Sequence, residues 1–355
     1  MTPTLAELGW RSFFNDQIST EDEGYSPVRV MAVHRGRIAV AGAGTRHLID
    51  PHMAQVDGAA DHPTVGDWLL VDNRHLQPVR ILERANLFKR RAPGNDNRPQ
   101  MIAANVDTLF IVASCNQDFS PARLERYLVL AREVGVRPVV VLTKIDLAAD
   151  PEIFAAAARA LQDEMLVQTV DARDPASVAS LASFCGQGET VALLGSSGVG
   201  KSTLVNTLRG SNAIATQAIR KGDDTGRHTT TVREMHRLDR GGWFLDTPGM
   251  RELQLTDAAA GVAEIFDDIV TMVGRCRFAN CAHKGEPGCA VQAAIREGAL
   301  TVSRLDRWRR LSSEETYNSA SLTDRRTLDR IKGNVMGRRN ELRRARVTLL
   351  GWSLP

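Results

Sequence analysis

Gly195-Ser196-Ser197-Gly198-Val199-Gly200-Lys201-Ser202 fits the pattern GxxxxGK[ST], and its flanks decide the fold. ETVALLG, ending at Gly195, reads as an apolar strand, and KSTLVNTLRG, starting at Lys201, reads as a helix. Glycines let the backbone curl so that successive N–H groups face phosphate oxygens, and the helix N-terminus adds positive potential. In this pattern Lys201 brings charge to the β- and γ-phosphates and the Ser202 hydroxyl ligates Mg²⁺. Thr203, next on the helix, joins the nucleotide-binding set. The bland alternative is a strand–helix turn that binds nothing. Eight matching residues in the required context argue against it.

Outward from this loop, Thr143-Lys144-Ile145-Asp146 follows the apolar strand RPVVVL. A carboxylate at Asp146 can accept hydrogen bonds from guanine N1–H and its 2-amino group, whereas adenine offers a lone pair at N1. Lys144 would lay its stem along the base. The usual pattern begins with Asn; Thr143 departs from it but remains short and polar. Val170-Asp171-Ala172 takes the place of a second, weaker base-contact loop, with Asp171 and Ala172 as its candidate residues. Asp246-Thr247-Pro248-Gly249 matches DxxG: Asp246 would hold Mg²⁺ through water and the Gly249 N–H would reach the γ-phosphate. A plain turn is the alternative there, since these residues turn unaided. Between the two lies KGDDTGRHTTT (221–231), expected to be a switch ordered by γ-phosphate, with Thr230 completing the Mg²⁺ shell.

The order carries information. Conventional GTPases run phosphate loop, switch, DxxG, then base-reading motif. Here the base-reading motif comes first, which is a circular permutation, tolerated because the old termini can be joined at the surface. From about 104, strands and helices alternate, so a largely parallel sheet covered by helices is expected. Residues 28–91 read instead as short alternating strands, RAPGNDNRPQ (91–100) as a linker, and the chain after about 262 as helical with Cys and His.

These motifs, with GRHTTT and a cluster at 276–289, closely resemble the RsgA/YjeQ family of ribosome small-subunit-dependent GTPases. The resemblance implies a multidomain α/β protein. An extension (1–27) precedes an OB-fold β-barrel (28–98), a circularly permuted GTPase domain (99–262) and a helical zinc-binding domain with a basic end (263–355). It also implies GTP hydrolysis to GDP and phosphate, stimulated by the small ribosomal subunit and its rRNA during late maturation of that subunit. The chain is expected to act as a monomer.

The cluster reads Cys276-x4-Cys281-x-His283-x5-Cys289. Three thiolates and one imidazole suit a tetrahedral Zn²⁺, and four protein ligands leave no open position, so the expected role is structural. Buried cysteines beside an unrelated His are the alternative. The remaining two cysteines, Cys115 and Cys185, have no such neighbours.

Composition bounds the rest. The chain has 355 residues, 25% charged and 43% hydrophobic, which suits two or three globular domains. No apolar run of about 18 residues suggests a membrane helix, the start has no secretory pattern, and five cysteines suggest no disulfide framework, so the cytoplasm is expected. The net charge of +3 is mild, but residues 301–346 hold thirteen Lys or Arg against six Asp or Glu. Arg304, Arg307, Arg309 and Arg310, then Arg325, Arg326, Arg330, Lys332, Arg338 and Arg339, could neutralise phosphates, as could Lys89-Arg90-Arg91. A solvated charged face is the competing reading.

Catalysis lacks one conventional part. Ras-like GTPases orient water with a Gln after DxxG; here that position is Met250, with no strong donor or acceptor. His228 in the switch can orient water or take a proton, and the family carries a His at the matching place. Arg227 and a passive loop histidine are the alternatives. Two other functions stand open: a permuted GTPase acting on the large subunit, and a GTP-sensing RNA-binding module with little catalysis.

Overall fold

The computed structural model describes residues 3–53, 62–91, 99–210, 233–246, 255 and 258–319. The chain divides into two compact units, 1–254 and 255–355.

In the first unit a short helix α1 (Ser12–Asn15) precedes five strands: β1 (Tyr25–His34), β2 (Arg37–Gly42), β3 (Thr45–Ile49), β4 (Trp68–Asp72) and β5 (Pro78–Ile81). They pair antiparallel in the order β3-β2-β1-β4-β5. Alternate side chains of a strand share a face, and Val28, Val30, Ile38, Val40, Leu69 and Val71 form one buried cluster on it. β6 (Leu87–Arg91) and β7 (Pro99–Ala104) then form an antiparallel hairpin. The stretch expected to be a linker at 91–100 therefore ends inside a strand. Its Pro, Gly and Asn content masked Met101-Ile102-Ala103-Ala104, a run that is buried throughout.

Strands and helices alternate next: β8 (Thr108–Ser114), α2 (Pro121–Val134), β9 (Arg137–Thr143), α3 (Pro151–Arg159), β10 (Val167–Thr169), α4 (Pro175–Val178), β11 (Thr190–Leu194) and α5 (Lys201–Leu208). β12 (Arg233–Arg237) and β13 (Trp243–Asp246) complete the order β10-β9-β8-β11-β13-β12. All neighbours are parallel except β12. β8, β9 and β11 are apolar nearly throughout because helices cover both faces of a parallel sheet; Phe110, Val112, Val139, Val141, Val191 and Leu193 are all buried. Local signals start and stop the helices. Pro121 opens α2 and Gly135, at φ 74°, ends it, while the Asp150 carboxylate caps α3 by accepting the Glu152 N–H.

β12 also pairs antiparallel with β1, Ala32 opposite Glu234, so the two sheets are one. The N-terminal segment reinforces this junction. Trp10 packs edge-on against Trp68, 4.8 Å between ring centroids. Arg11 pairs with Asp107 at 2.6 Å, and Trp243 Nε1 donates to the Glu7 carbonyl at 2.7 Å. At the centre Arg29, wholly buried, donates to the carbonyls of Leu8 and Asn105 and to Thr190 Oγ1. Burial lowers its pKa to about 10, so it is still charged at neutral pH.

The second unit is helical among its described residues: α6 (Ala259–Ile265), α7 (Asp267–Val273), α8 (Ala290–Arg296) and α9 (Val302–Ser319). Arg304 of α9 forks onto both Asp268 oxygens at 3.1 Å and donates to the Ile265 carbonyl.

Candidate functional site

The phosphate-type loop stands where expected, between the C-terminal end of β11 and the first turn of α5. This edge of an open α/β sheet is where such folds bind ligands. Gly195 has φ +156°, and a Cβ there would lie 2.3 Å from the Val112 carbonyl oxygen; Gly200, at φ +92°, precedes the helix in left-handed geometry. Any other side chain at 195 would drive the loop off β8. Lys201 Nζ donates to the carbonyls of Gly195, at 2.8 Å, and Ser196. Its charge thus lies over the loop. Ser202 and Thr203 follow on the first turn of α5. Asp246 closes β13, one residue beyond the Ala192–Leu245 pairing, so its exposed carboxylate lies at the same sheet edge.

Beside the loop is a pocket lined by Thr143, Lys144, Asp146, Asp171, Ala172, Arg173 and Gly200, among others. β9 and β10 are parallel neighbours, so both base-contact candidates emerge at one edge. Thr143 is fully buried, and its Oγ1 lies 2.6 Å from the Val199 carbonyl of the phosphate loop and 3.1 Å from the Ala113 carbonyl. The departure from Asn therefore keeps a side-chain link between base loop and phosphate loop. Lys144 is left-handed, at φ 59°, which turns the chain sharply enough to present Asp146. On the far side, Thr207 of α5 donates to the Ala172 carbonyl at 2.7 Å. The pocket offers two carboxylates, Asp146 and Asp171, to a ligand edge carrying paired N–H donors.

Two residues escaped the sequence reading. Arg123 Nη1 donates to Ser196 Oγ at 2.6 Å, and Arg173 Nη2 reaches Asp146 Oδ2 at 2.6 Å. No motif marks either; only the fold brings them to these partners. His228, Arg227, Thr230, Gly249 and Met250 lie outside the described residues, as do the basic positions from Arg325 to Arg339.

In the second unit, Cys276, Cys281, His283 and Cys289 converge, their ligand atoms all within 4.8 Å of one another. Cys276 Sγ and Cys289 Sγ are 4.0 Å apart, and each is 3.6 Å from His283 Nδ1. Zn–S bonds of about 2.3 Å at tetrahedral angles place sulfurs about 3.8 Å apart, so the donor set fits that ion. Burial lowers the His283 pKa, favouring the neutral imidazole a metal requires. The surrounding loop is braced. Glu286 accepts from the Ala282 and Lys284 N–H groups at 3.0 and 2.7 Å, and backbone N–H donors, its own first, hold its pKa down to about 2. Arg309 donates to the His283 carbonyl at 2.8 Å. Arg304 and Arg309 thus have internal partners, which reduces their availability to RNA phosphates. Cys115 and Cys185 are buried, and desolvation raises their pKa values to about 11 and 12. Such thiols are unreactive.

The RsgA GTPase family profile matches residues 81–256. A protein of Mesorhizobium japonicum, named small ribosomal subunit biogenesis GTPase RsgA, is 49% identical over 321 residues, covering 90% of this chain and 92% of that one. Two solved structures share the fold. YjeQ from Thermotoga maritima has a TM-score of 0.58 at 22% identity, over 81% of this chain and 97% of that chain. YloQ, described as a circularly permuted GTPase, has a TM-score of 0.57 at 23% identity, over 86% of this chain and 99% of that chain.

Proposed function

This chain belongs to the RsgA GTPase family and is a GTP hydrolase, and we propose that it hydrolyses GTP on the small ribosomal subunit during late maturation of that subunit. The relative from Mesorhizobium japonicum carries that role in its name. The observation that carries the reading is the junction of base pocket and phosphate loop, linked by Thr143 and Val199 at one sheet edge. In this reading Asp146 accepts the guanine N1–H and 2-amino group, with Asp171 and Ala172 on the other side of the base. The amides from Gly195 to Lys201 and the Lys201 ammonium bind the phosphates. Ser202, Thr230 and Asp246 would hold Mg²⁺, which supplies charge neutralisation at the β- and γ-phosphates. His228 orients the attacking water, because Met250 cannot.

The five strands β1 to β5 act as an OB-type module for rRNA, supported by their 3-2-1-4-5 pairing path. The proposed domains are the strand module at 28–98, the GTPase domain from 99, and a C-terminal domain whose start moves from 263 to 255 with the division of the chain. Cys276, Cys281, His283 and Cys289 would hold one structural Zn²⁺, tying together a loop-rich segment. The protein acts as a monomer in the cytoplasm, where its ribosomal partner is. No helix among the described residues is long and apolar enough to cross a membrane.

Co-sedimentation tests the partner. With a non-hydrolysable GTP analogue the full chain should pellet with purified small subunits and not with large ones. The reverse preference would transfer the function to the large subunit.

A further inference from the structure

The edge by which guanine meets a carboxylate, N1–H beside the 2-amino group, has the donor pattern of a guanidinium: two N–H vectors in one plane. Arg173 brings one such donor to Asp146 from within the chain. Its Nη2 is 2.6 Å from Asp146 Oδ2, while its Nε and backbone N–H hold Asp171 Oδ1 at 3.2 and 3.0 Å. The guanidinium fork closes on Asp171, whose Oδ2 also lies 3.2 Å from Nη2, so Asp146 is held by a single contact. The anchor on Asp171 is only two residues away and the contact to Asp146 spans 27, so the distal one is the one a base can displace. The Arg173 side chain is 66% exposed and the Asp146 side chain 27%, so guanidinium exchange needs no rearrangement of the core.

We infer that Arg173 is an internal substitute for the guanine edge: it occupies Asp146 when the pocket is free, yields to the base, and recaptures the carboxylate as nucleotide leaves. This inference rests on Asp146 being the base-reading residue. Arg173 then sets nucleotide release and affinity rather than hydrolysis. A partner surface that bound the Arg173 guanidinium would prolong nucleotide residence. Because the pair is exposed, its effect is modest and screened by salt.

The test measures GDP affinity by calorimetry and release of a fluorescent GDP by stopped flow, using the full chain and its Arg173→Ala and Asp146→Asn variants. Arg173→Ala should bind GDP about fivefold more tightly, through slower release, and this advantage should shrink as salt rises. Asp146→Asn should bind GDP more weakly. Unchanged or weaker GDP binding by Arg173→Ala, with Asp146→Asn weakened, would overturn the inference and leave the base-reading role intact. Unchanged binding by Asp146→Asn would remove the base-reading role and the inference with it.

Discussion

Thr143 Oγ1 lies 2.6 Å from the Val199 carbonyl oxygen, so the loop that presents Asp146 and the loop that wraps phosphate share a buried hydrogen bond. The residue replaces the Asn usual at this position and spans the gap with a shorter side chain. The geometry explains the burial of a polar side chain at the end of an apolar strand.

Thr143→Val should therefore weaken GTP binding roughly tenfold while barely altering the fold. It keeps the branched shape but leaves the Val199 carbonyl without its donor, a loss of about 1 kcal/mol or more. Thr143→Ser, which keeps the hydroxyl, should bind close to wild type. Calorimetric titration checks both; equal affinities for Val and wild type would show the link to be dispensable.

Arg29→Met should cost stability. It removes the donor that serves Leu8, Asn105 and Thr190 at the junction of β1, the N-terminal segment and β11. Leaving those buried acceptors without a donor costs on the order of 3 kcal/mol, which for a unit this size lowers Tm by roughly 10 °C. Calorimetric melting measures it. A drop of only about a degree would mean that hydrophobic packing alone holds the junction.

Much of this was readable in the sequence, for a physical reason. The phosphate-type loop and the Cys/His cluster each gather their residues within a few positions, so spacing alone exposes them. Arg29 and Arg173 could not be found that way: only the folded chain brings Arg29 to Leu8, Asn105 and Thr190, and Arg173 to Asp146, 27 residues earlier. Nor could the pairing of β1 with β12, which joins Ala32 to Glu234. Trp10 and the N-terminal segment were legible only as an extension, since their packing face belongs to Trp68. β7 was hidden behind a Pro- and Gly-rich neighbour. The strong local punctuation there outweighed a strand only six residues long with four buried residues at its end.

Cys281→Ala should lower zinc content and loosen the unit that starts at Leu255, while nucleotide affinity stays near wild type. The four donors lie together in one unit and the nucleotide pocket in the other. Elemental analysis with parallel GDP titration separates the effects. Wild-type protein without stoichiometric zinc would contradict the structural assignment.

His228→Ala should keep GTP affinity and binding to the small subunit but lose subunit-stimulated turnover by roughly 10²-fold, the size of an ordinary general-base or water-orienting contribution. The consequence is a complex that forms and fails to release, visible as persistent co-sedimentation with GTP. Wild-type stimulated turnover in this variant would assign the task to Arg227 or to the ribosome.

If this permuted GTPase is switched on by the small ribosomal subunit, its phosphate release must respond to that subunit. Inorganic phosphate should be followed with the full chain and GTP, alone and with purified small or large subunits. Slow basal release, strongly accelerated by small subunits and not by large ones, is the expected result. Release that stays at the basal rate with small subunits present would rule out such a switch and leave a nucleotide-sensing RNA-binding protein in its place.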